Sequence, residues 1–114
     1  MRPLSYLKNK LVPLGSGPRT ILHGPFREIT LELSLQTQMQ MYLGLFEKET
    51  HFWVEALTRD IATAVDAGAA FGEHTLFLLM KTDAEVVYAF EPATDLHEVL
   101  RKNLSLNSLK GSNR

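Results

Sequence analysis

Two acids and two glycines between positions 64 and 92 have the types and the spacing to bind a small polar ligand. Gly68 and Gly72 carry no Cβ, so the turn that contains them can bend sharply and its backbone can approach a ligand closely. Asp66 directly precedes this turn, and Glu91 follows Asp66 by 25 residues (91 − 66). An acid at the end of a second strand can accept hydrogen bonds from both hydroxyls of a ribose. The four residues therefore predict a nucleoside-binding turn.

The elements that must position these residues form one predicted βαβ unit. An apolar run ends at Asp66, an apolar helix is predicted over 74–80, and a β-rich run over 86–90 ends at Glu91. The helix begins near Gly72, where unpaired N–H groups and the positive end of the helix dipole favour a carboxylate or a phosphate. Strand, glycine turn, helix and strand follow one another as in nucleotide-binding units.

The same stretch resembles the class I S-adenosylmethionine-dependent methyltransferases and, within them, the FkbM-like group. Residues 65–76 (VDAGAAFGEHTL) resemble that group's D-V-G-A-N-x-G-x-x-T-L motif, and residues 88–92 (YAFEP) match its Y-A-F-E-P. Residues 100–107 (LRKNLSLN) resemble the helix that follows, and residues 41–49 (MYLGLFEKE) the segment before the first strand. The resemblance covers the chain from Gly17 to Asn107.

The resemblance implies an α/β, Rossmann-like methyltransferase fold that ends after the second parallel strand and its helix, preceded by an N-terminal antiparallel β-hairpin and a helix. The implied cofactor is S-adenosyl-L-methionine, and the implied reaction is methyl transfer to a hydroxyl or a similar nucleophile. The later strands, which carry most substrate contacts in such enzymes, would follow Arg114, so catalytic residues are unknown. The implied cofactor-binding residues are Asp66, Gly68, Ala69, Ala70, Phe71, Gly72, His74, Thr75, Glu91 and Pro92.

Ala70 distinguishes this turn from two nucleotide-binding motifs. Ala70 stands where the FkbM-like group usually has Asn, which removes a polar side chain beside the implied cofactor. Ala70 also occupies the second glycine position of a G-x-G-x-x-G turn, where a Cβ crowds a diphosphate, so methyltransferase-type binding is favoured over a dinucleotide. A dinucleotide-binding fragment stays open as an alternative. So does a non-catalytic interaction module that pairs with a second copy or a partner chain through the open edge of its sheet.

The amino-acid composition limits the classes of protein to which the chain can belong. The chain has 114 residues, 12 basic and 13 acidic, and a net charge of −1, so it is one domain with no electrostatic case for nucleic acid. It has no cysteine, and no apolar run approaches the roughly 20 residues of a membrane span. These features predict a cytoplasmic protein. The four histidines have no metal-ligand spacing, so no metal site is predicted.

The rest of the chain is predicted to support this unit. Residues 1–18 are predicted to be an N-terminal arm that ends in a Gly-Ser-Gly-Pro loop, residues 19–60 a β-hairpin and a helix, and residues 61–114 the partial Rossmann-like unit. The hairpin strands are predicted at 20–22 and 29–35, where Ile29, Leu31, Leu33 and Leu35 alternate with polar residues.

Two helices are predicted around the βαβ unit. The apolar spacing over 47–61 predicts a helix that packs Trp53 and Leu57 against the sheet. Trp53 is alternatively a candidate to stack on the adenine of a cofactor. After Pro92, Asp95 and Glu98 predict a capping box at the start of an amphipathic second helix that ends near Asn107.

Overall fold

Two separate two-stranded sheets carry the fold. The structure, a computed structural model, describes residues 15–109, so the predicted arm over 1–14 and the chain after 109 lie outside the described residues. Within that range the chain is a small α/β domain with an antiparallel hairpin and a parallel sheet. The elements are β1 (Ser16–Thr20), β2 (Thr30–Ser34), α1 (Met39–Leu43), a 3₁₀ turn (Lys48–Thr50), α2 (His51–Leu57), β3 (Thr63–Ala67), α3 (Glu73–Lys81), β4 (Val86–Phe90) and α4 (Thr94–Ser105).

The hairpin contributes most of the buried core. Strand β1 pairs antiparallel with β2, from Ser16 opposite Ser34 to Thr20 opposite Thr30. The alternation predicted around β2 is confirmed, because Leu31 and Leu33 are completely buried while the residues that alternate with them, Thr30, Glu32 and Ser34, are half-buried. The core cluster consists of Ile21, Phe26, Ile29, Leu31, Leu33, Met41, Leu76 and Phe77. Side chains of the hairpin and of α3 therefore share one core.

The predicted position of the first hairpin strand was wrong. Residues 15–18 were predicted to form a loop and residues 20–22 the strand, whereas the strand is Ser16–Thr20. Pro18 lies opposite Glu32, whose N–H points away from β1 and bonds to Asn103. This is a non-hydrogen-bonded pair, in which the nitrogen of Pro18 also points away from its partner strand. The missing N–H of proline therefore removes nothing from the ladder.

The predicted order of strand, turn, helix and strand is confirmed. Strand β3 pairs parallel with β4, so that Asp66 lies opposite Ala89, and α3 connects the strands and packs against both. Helix α3 begins after Gly72, as predicted. Helix α4 packs against β2 of the hairpin, which joins the two sheets into one body.

Side-chain amides close the outer edge of β2. The N–H groups of Thr30, Glu32 and Ser34 donate to the side-chain oxygens of Asn107, Asn103 and Gln38 at 2.8, 2.8 and 3.0 Å. An unpaired strand edge is a template for pairing with another chain. Here three carboxamides satisfy the edge, and two of them come from the C-terminal end of α4 or directly after it.

The helix predicted over 47–61 is shorter, and its apolar residues are not packed as predicted. A 3₁₀ turn precedes α2, which ends at Leu57. Glu47 and Asp60, at φ +49° and +55°, adopt left-handed backbone that ends helical geometry on either side. Trp53 is 59% exposed and Leu57 is 72% exposed, so neither belongs to the core. Helical spacing identified residues that share a face, but the sheet does not cover that face.

The capping box predicted at Asp95 is also absent. Helix α4 begins one residue earlier, at Thr94, its N-cap is Ala93, and no side chain of the N-cap bonds to the helix. The N–H of Ala93 is instead bonded to the carboxylate of Glu91. Between residues 15 and 109, no helix is long and apolar enough to cross a membrane.

Candidate functional site

The turn between β3 and α3 lies against the carboxyl end of β4. The N–H groups of Gly68 and Ala69 both donate to the carbonyl oxygen of Phe90, at 2.8 and 2.9 Å. Three residues of the turn have positive φ, namely Gly68 at +77°, Ala70 at +52° and Gly72 at +98°. Glycine adopts this backbone without strain, whereas alanine is strained there. The sequence therefore supplies glycine at two of the three left-handed positions.

Glu91 connects the turn to the start of α4. Its Oε1 accepts a hydrogen bond from the N–H of Ala70 at 2.7 Å, and its Oε2 accepts one from the N–H of Ala93 at 2.9 Å. A carboxylate offers about four lone-pair sites, so two sites stay available for a ligand. Glu91 thus orders both backbone segments around the position where a ribose is expected to bind.

Asp66 is held by the first turn of α3. The hydroxyl of Thr75 donates to Oδ2 of Asp66 at 2.6 Å, and Thr75 is buried. The hydroxyl of Thr75 is thereby committed to Asp66, so Thr75 orients the carboxylate. Asp66 itself is half-buried, and its hydrogen bond to Thr75 occupies only one of the two carboxylate oxygens.

The two glycines have different surroundings. A Cβ built on Gly68 meets no atom within 4 Å, which means that open space borders the backbone there. A Cβ built on Gly72 comes within 2.5 Å of Cδ1 of Leu100. Gly68 therefore leaves room for a ligand, and Gly72 allows the turn to pack closely against α4.

The other residues predicted to bind the cofactor differ in how far they are buried. Ala69 is buried, and Phe71 packs against the core and lines a groove of about 350 Å³ with Met39 and Met41. Pro92 is exposed beside Glu91. The structure thus brings Asp66, Gly68, Ala70 and Glu91 together around the turn, while Ala69, Phe71, Gly72 and Thr75 pack beneath or beside it.

His74 has a buried carboxylate as its partner. Its Nδ1 lies 3.2 Å from Oε1 of Glu73, which is buried, and its ring contacts the ring of Phe26 edge-on at a centroid distance of 5.2 Å. The hydrogen bond to Glu73 is the largest influence on the imidazole and raises its pKa above the ordinary value of 6.5, although partial burial opposes this. His74 is therefore held in one orientation at the start of α3.

Asn103 is the residue whose importance the sequence analysis missed. It is completely buried, its Oδ1 accepts from the N–H of Glu32, and its Nδ2 donates to the carbonyl oxygen of Phe71 at 2.7 Å. One side chain on α4 therefore joins the hairpin to the glycine turn. The available signal was an amide within the apolar stripe of α4, between Leu100 and Leu104.

Over residues 15–109, no group of three or more histidine or acidic side chains is arranged to hold a metal ion. No protein-family model, curated protein or solved structure matches the chain.

Proposed function

We propose that this chain is the cofactor-binding part of a class I S-adenosyl-L-methionine-dependent methyltransferase of the FkbM-like group, with a Rossmann-like fold and a hydroxyl or a similar nucleophile as methyl acceptor. The observation that carries the proposal is the hydrogen bond between Glu91 and the N–H of Ala70. It brings the strand-terminal acid and the glycine turn together at the carboxyl ends of two parallel strands. Ligands of open α/β sheets bind at such ends.

The residues present fit this cofactor in three respects. Open space borders Gly68, as a closely approaching ligand requires. Asp66 has an oxygen that Thr75 does not engage, which suits the amino group of the methionine part. Glu91 keeps acceptor sites for the ribose hydroxyls while it holds the turn. Most N–H groups of the turn are already bonded within the chain, so the carboxylate of the methionine part would meet the first N–H groups of α3.

When bound, S-adenosyl-L-methionine supplies an electrophilic methyl group on a sulfonium. The task of the protein is alignment and exclusion of water, so a positioned acid–base pair is not required. In this account Asp66 and Glu91 bind and orient, and Thr75 and Asn103 keep the surrounding backbone in place.

The backbone conformation at position 70 bears on the difference between Ala70 and the Asn of the FkbM-like group. At φ +52° a residue is in the left-handed region, where Asn is several-fold enriched among non-glycine residues. The FkbM-like Asn therefore suits the conformation of the turn as well as any contact with the cofactor. Ala70 keeps the path of the turn and its N–H bond to Glu91, at the expense of local strain.

Calorimetric titration with S-adenosylhomocysteine tests this proposal. We expect binding to the unaltered chain and at least about tenfold weaker binding to Glu91→Gln, because a charge-assisted acceptor is lost. The matched control is Glu98→Gln, since Glu98 is exposed on α4. Thermal unfolding of both variants separates loss of the ligand contact from loss of the fold. Absence of binding by a folded sample would refute the proposal, and binding of NAD instead would favour the dinucleotide alternative.

A second candidate is a non-catalytic interaction module, and the bare face of the parallel sheet favours it. Val65, Val86, Tyr88 and Phe90 are 44–65% exposed and alternate with the residues that face the helices. Uncharged side chains fill this face, so a second copy of the chain is a suitable partner. Sedimentation velocity tests this function, which predicts a dimer. Tyr88→Lys should dissociate the dimer, whereas Leu22→Lys and S-adenosylhomocysteine should leave it intact.

A further inference from the structure

The groove of about 350 Å³ beside α1 has no ligand in either function proposed above. Met39 and Met41 of α1 line it, together with Phe46 and with Phe71 of the glycine turn. Small-molecule sites occupy roughly 300–1,000 Å³ and are mostly apolar with a few polar groups. The groove is at the lower end of this range, so it suits one compact molecule.

The groove contains polar groups but no charge. Among residues 15–109, its other lining residues are Thr37, Gln38 and Gln40, none of which is ionisable. Moving a charged group out of water costs free energy unless an opposite charge or several hydrogen bonds compensate it. The described lining offers neither a cation nor an anion for that purpose. A neutral ligand therefore complements the groove better than a charged one.

Gln38 supplies the groove with a hydrogen-bond donor that is held in place. Its Oε1 accepts from the N–H of Ser34 at 3.0 Å, and its own N–H donates to the carbonyl oxygen of Ser34 at 2.7 Å. The other two carboxamides on this edge of β2, Asn103 and Asn107, also donate through their nitrogens to backbone carbonyls. Nε2 of Gln38 donates to no group of the described residues. Its two N–H bonds are therefore available to an oxygen of a ligand.

The apolar walls favour an aromatic body. Phe46 is 36% exposed, and Met39 and Phe71 are half-buried, so a ligand that covers them removes apolar surface from water. The sulfur of methionine makes favourable contacts with aromatic rings, and aromatic rings also attract one another edge-on or in offset stacks. Two thioethers and two phenyl rings thus complement a flat aromatic molecule.

We propose that this groove binds a neutral aromatic molecule that carries a carbonyl oxygen, with its ring against the methionines and its oxygen bonded to Nε2 of Gln38. The proposal stands apart from the cofactor, because neither Asp66 nor Glu91 lines the groove. Phe71 alone is shared with the implied cofactor-binding residues, and here it serves only as a wall. Such a site is therefore compatible with either proposed function.

The methyl groups of Met39 and Met41 give NMR signals that report on the groove directly. Met80 packs against the core without lining the groove, so its methyl signal is an internal control. The probes are 2-naphthamide, 2-naphthoate and 2-naphthamidine, which share an aromatic body and are neutral, anionic and cationic. We expect the neutral amide to shift the two groove signals at a concentration about tenfold lower than either charged probe.

Gln38→Glu tests the proposed hydrogen bond with a side chain of the same shape. The variant keeps an oxygen for the N–H of Ser34 and replaces the amide nitrogen with a carboxylate oxygen. We expect it to weaken the amide about tenfold and to make the cationic amidine the tightest of the three probes. Loss of the fold cannot produce this reversal. An unchanged order of the three probes in the variant would overturn the proposal.

Phe46→Ser removes part of one wall, and Phe52→Ser is its control, because Phe52 is an exposed phenylalanine that does not line the groove. We expect the first variant alone to weaken all three probes. Equal affinity for the probes, no shift with any of them, a shift of Met80 alone, or equal effects of the two phenylalanine variants would overturn the proposal. The titration is independent of S-adenosylhomocysteine, so failure of this site and failure of the cofactor proposal are separate results.

Discussion

The hairpin and the parallel pair of strands show the same alternation of side chains but differ in what covers them. In β2 every second residue is buried in the core, and carboxamides occupy the free edge of the strand. In β3 and β4 the face opposite the helices is open, and each strand has one unpaired edge within the described residues. The hairpin thus has a buried face and a satisfied edge on β2, and the outer edge of β1 is unpaired within the described residues. The parallel pair leaves apolar surface beside a turn with the features of a binding site.

This contrast predicts that stability resides in the hairpin and that sensitivity to ligands resides in the parallel unit. Several residues connect the regions, among them Asn103, which bonds to both β2 and the turn, and Leu76 and Phe77, which α3 contributes to the core of the hairpin.

Leu31→Ala should lower the free energy of unfolding by about 2–5 kcal/mol, because it leaves a cavity at a fully buried position. Val65→Ala, on the open face of β3, should change it by less than about 0.5 kcal/mol. Urea denaturation of the two variants beside the unaltered chain measures both effects. Similar losses for the two would mean that another part of the protein covers the parallel sheet.

Asn103→Leu should destabilise by about 2–3 kcal/mol, because it leaves the N–H of Glu32 and the carbonyl of Phe71 without their partners. Hydrogen exchange should also speed up at Glu32 and in the turn. Ser105→Ala is the control on the same helix, since its hydroxyl is exposed and donates to the backbone carbonyl of Lys102. An unchanged exchange rate at Glu32 would contradict the linking role of Asn103.

Ala70→Gly should stabilise the protein by about 1 kcal/mol, because glycine adopts the left-handed backbone of that position without strain. Ala69→Gly makes the same chemical change one residue earlier, where φ is not positive, and should destabilise. Thermal unfolding of the pair measures the difference. Destabilisation by both variants would show that the turn does not hold Ala70 in this conformation.

The His74–Glu73 pair should make stability depend weakly on pH. Because the folded pKa of His74 lies above 6.5, the pair stabilises fully below that pH and loses its contribution as pH rises through the raised pKa. Since His74 is partly exposed, screening limits the effect to less than about 1 kcal/mol. Urea denaturation from about pH 5 to about pH 9, which spans the ordinary histidine pKa of roughly 6.5, should show a shallower decline for Glu73→Gln than for the unaltered chain. An equal decline would contradict the pairing.

The sequence-based predictions succeeded in both regions and failed at one strand of the hairpin. Strand β2 was predictable because its buried face imposes strict alternation on the sequence, and α3 was predictable because its apolar residues follow a glycine turn. Strand β1 was not, since Gly17 and Pro18 are typical of loops and only the pairing register shows why they are tolerated. Local signals do not contain that register.

The candidate site was predictable only in part. The spacing of Asp66, the glycine turn and Glu91 predicted that they form one site. In the structure, the turn and Glu91 are in direct contact. The role of Asn103 depends on contacts with residues 32 and 71 positions earlier, and the exposure of Trp53 depends on what packs against α2. Both are tertiary properties that the helical period of the sequence cannot specify.

Amide NMR during titration with S-adenosylhomocysteine tests the division between the two regions most directly. The account predicts that the resonances of Gly68, Ala69 and Ala70 shift, because their N–H groups, which bond to Phe90 and Glu91, lie in the turn that borders the proposed site. The resonances of Leu31 and Leu33 in the hairpin should stay in place. No shift anywhere, or shifts confined to the hairpin, would contradict the claim that the glycine turn is the cofactor-binding part of the molecule.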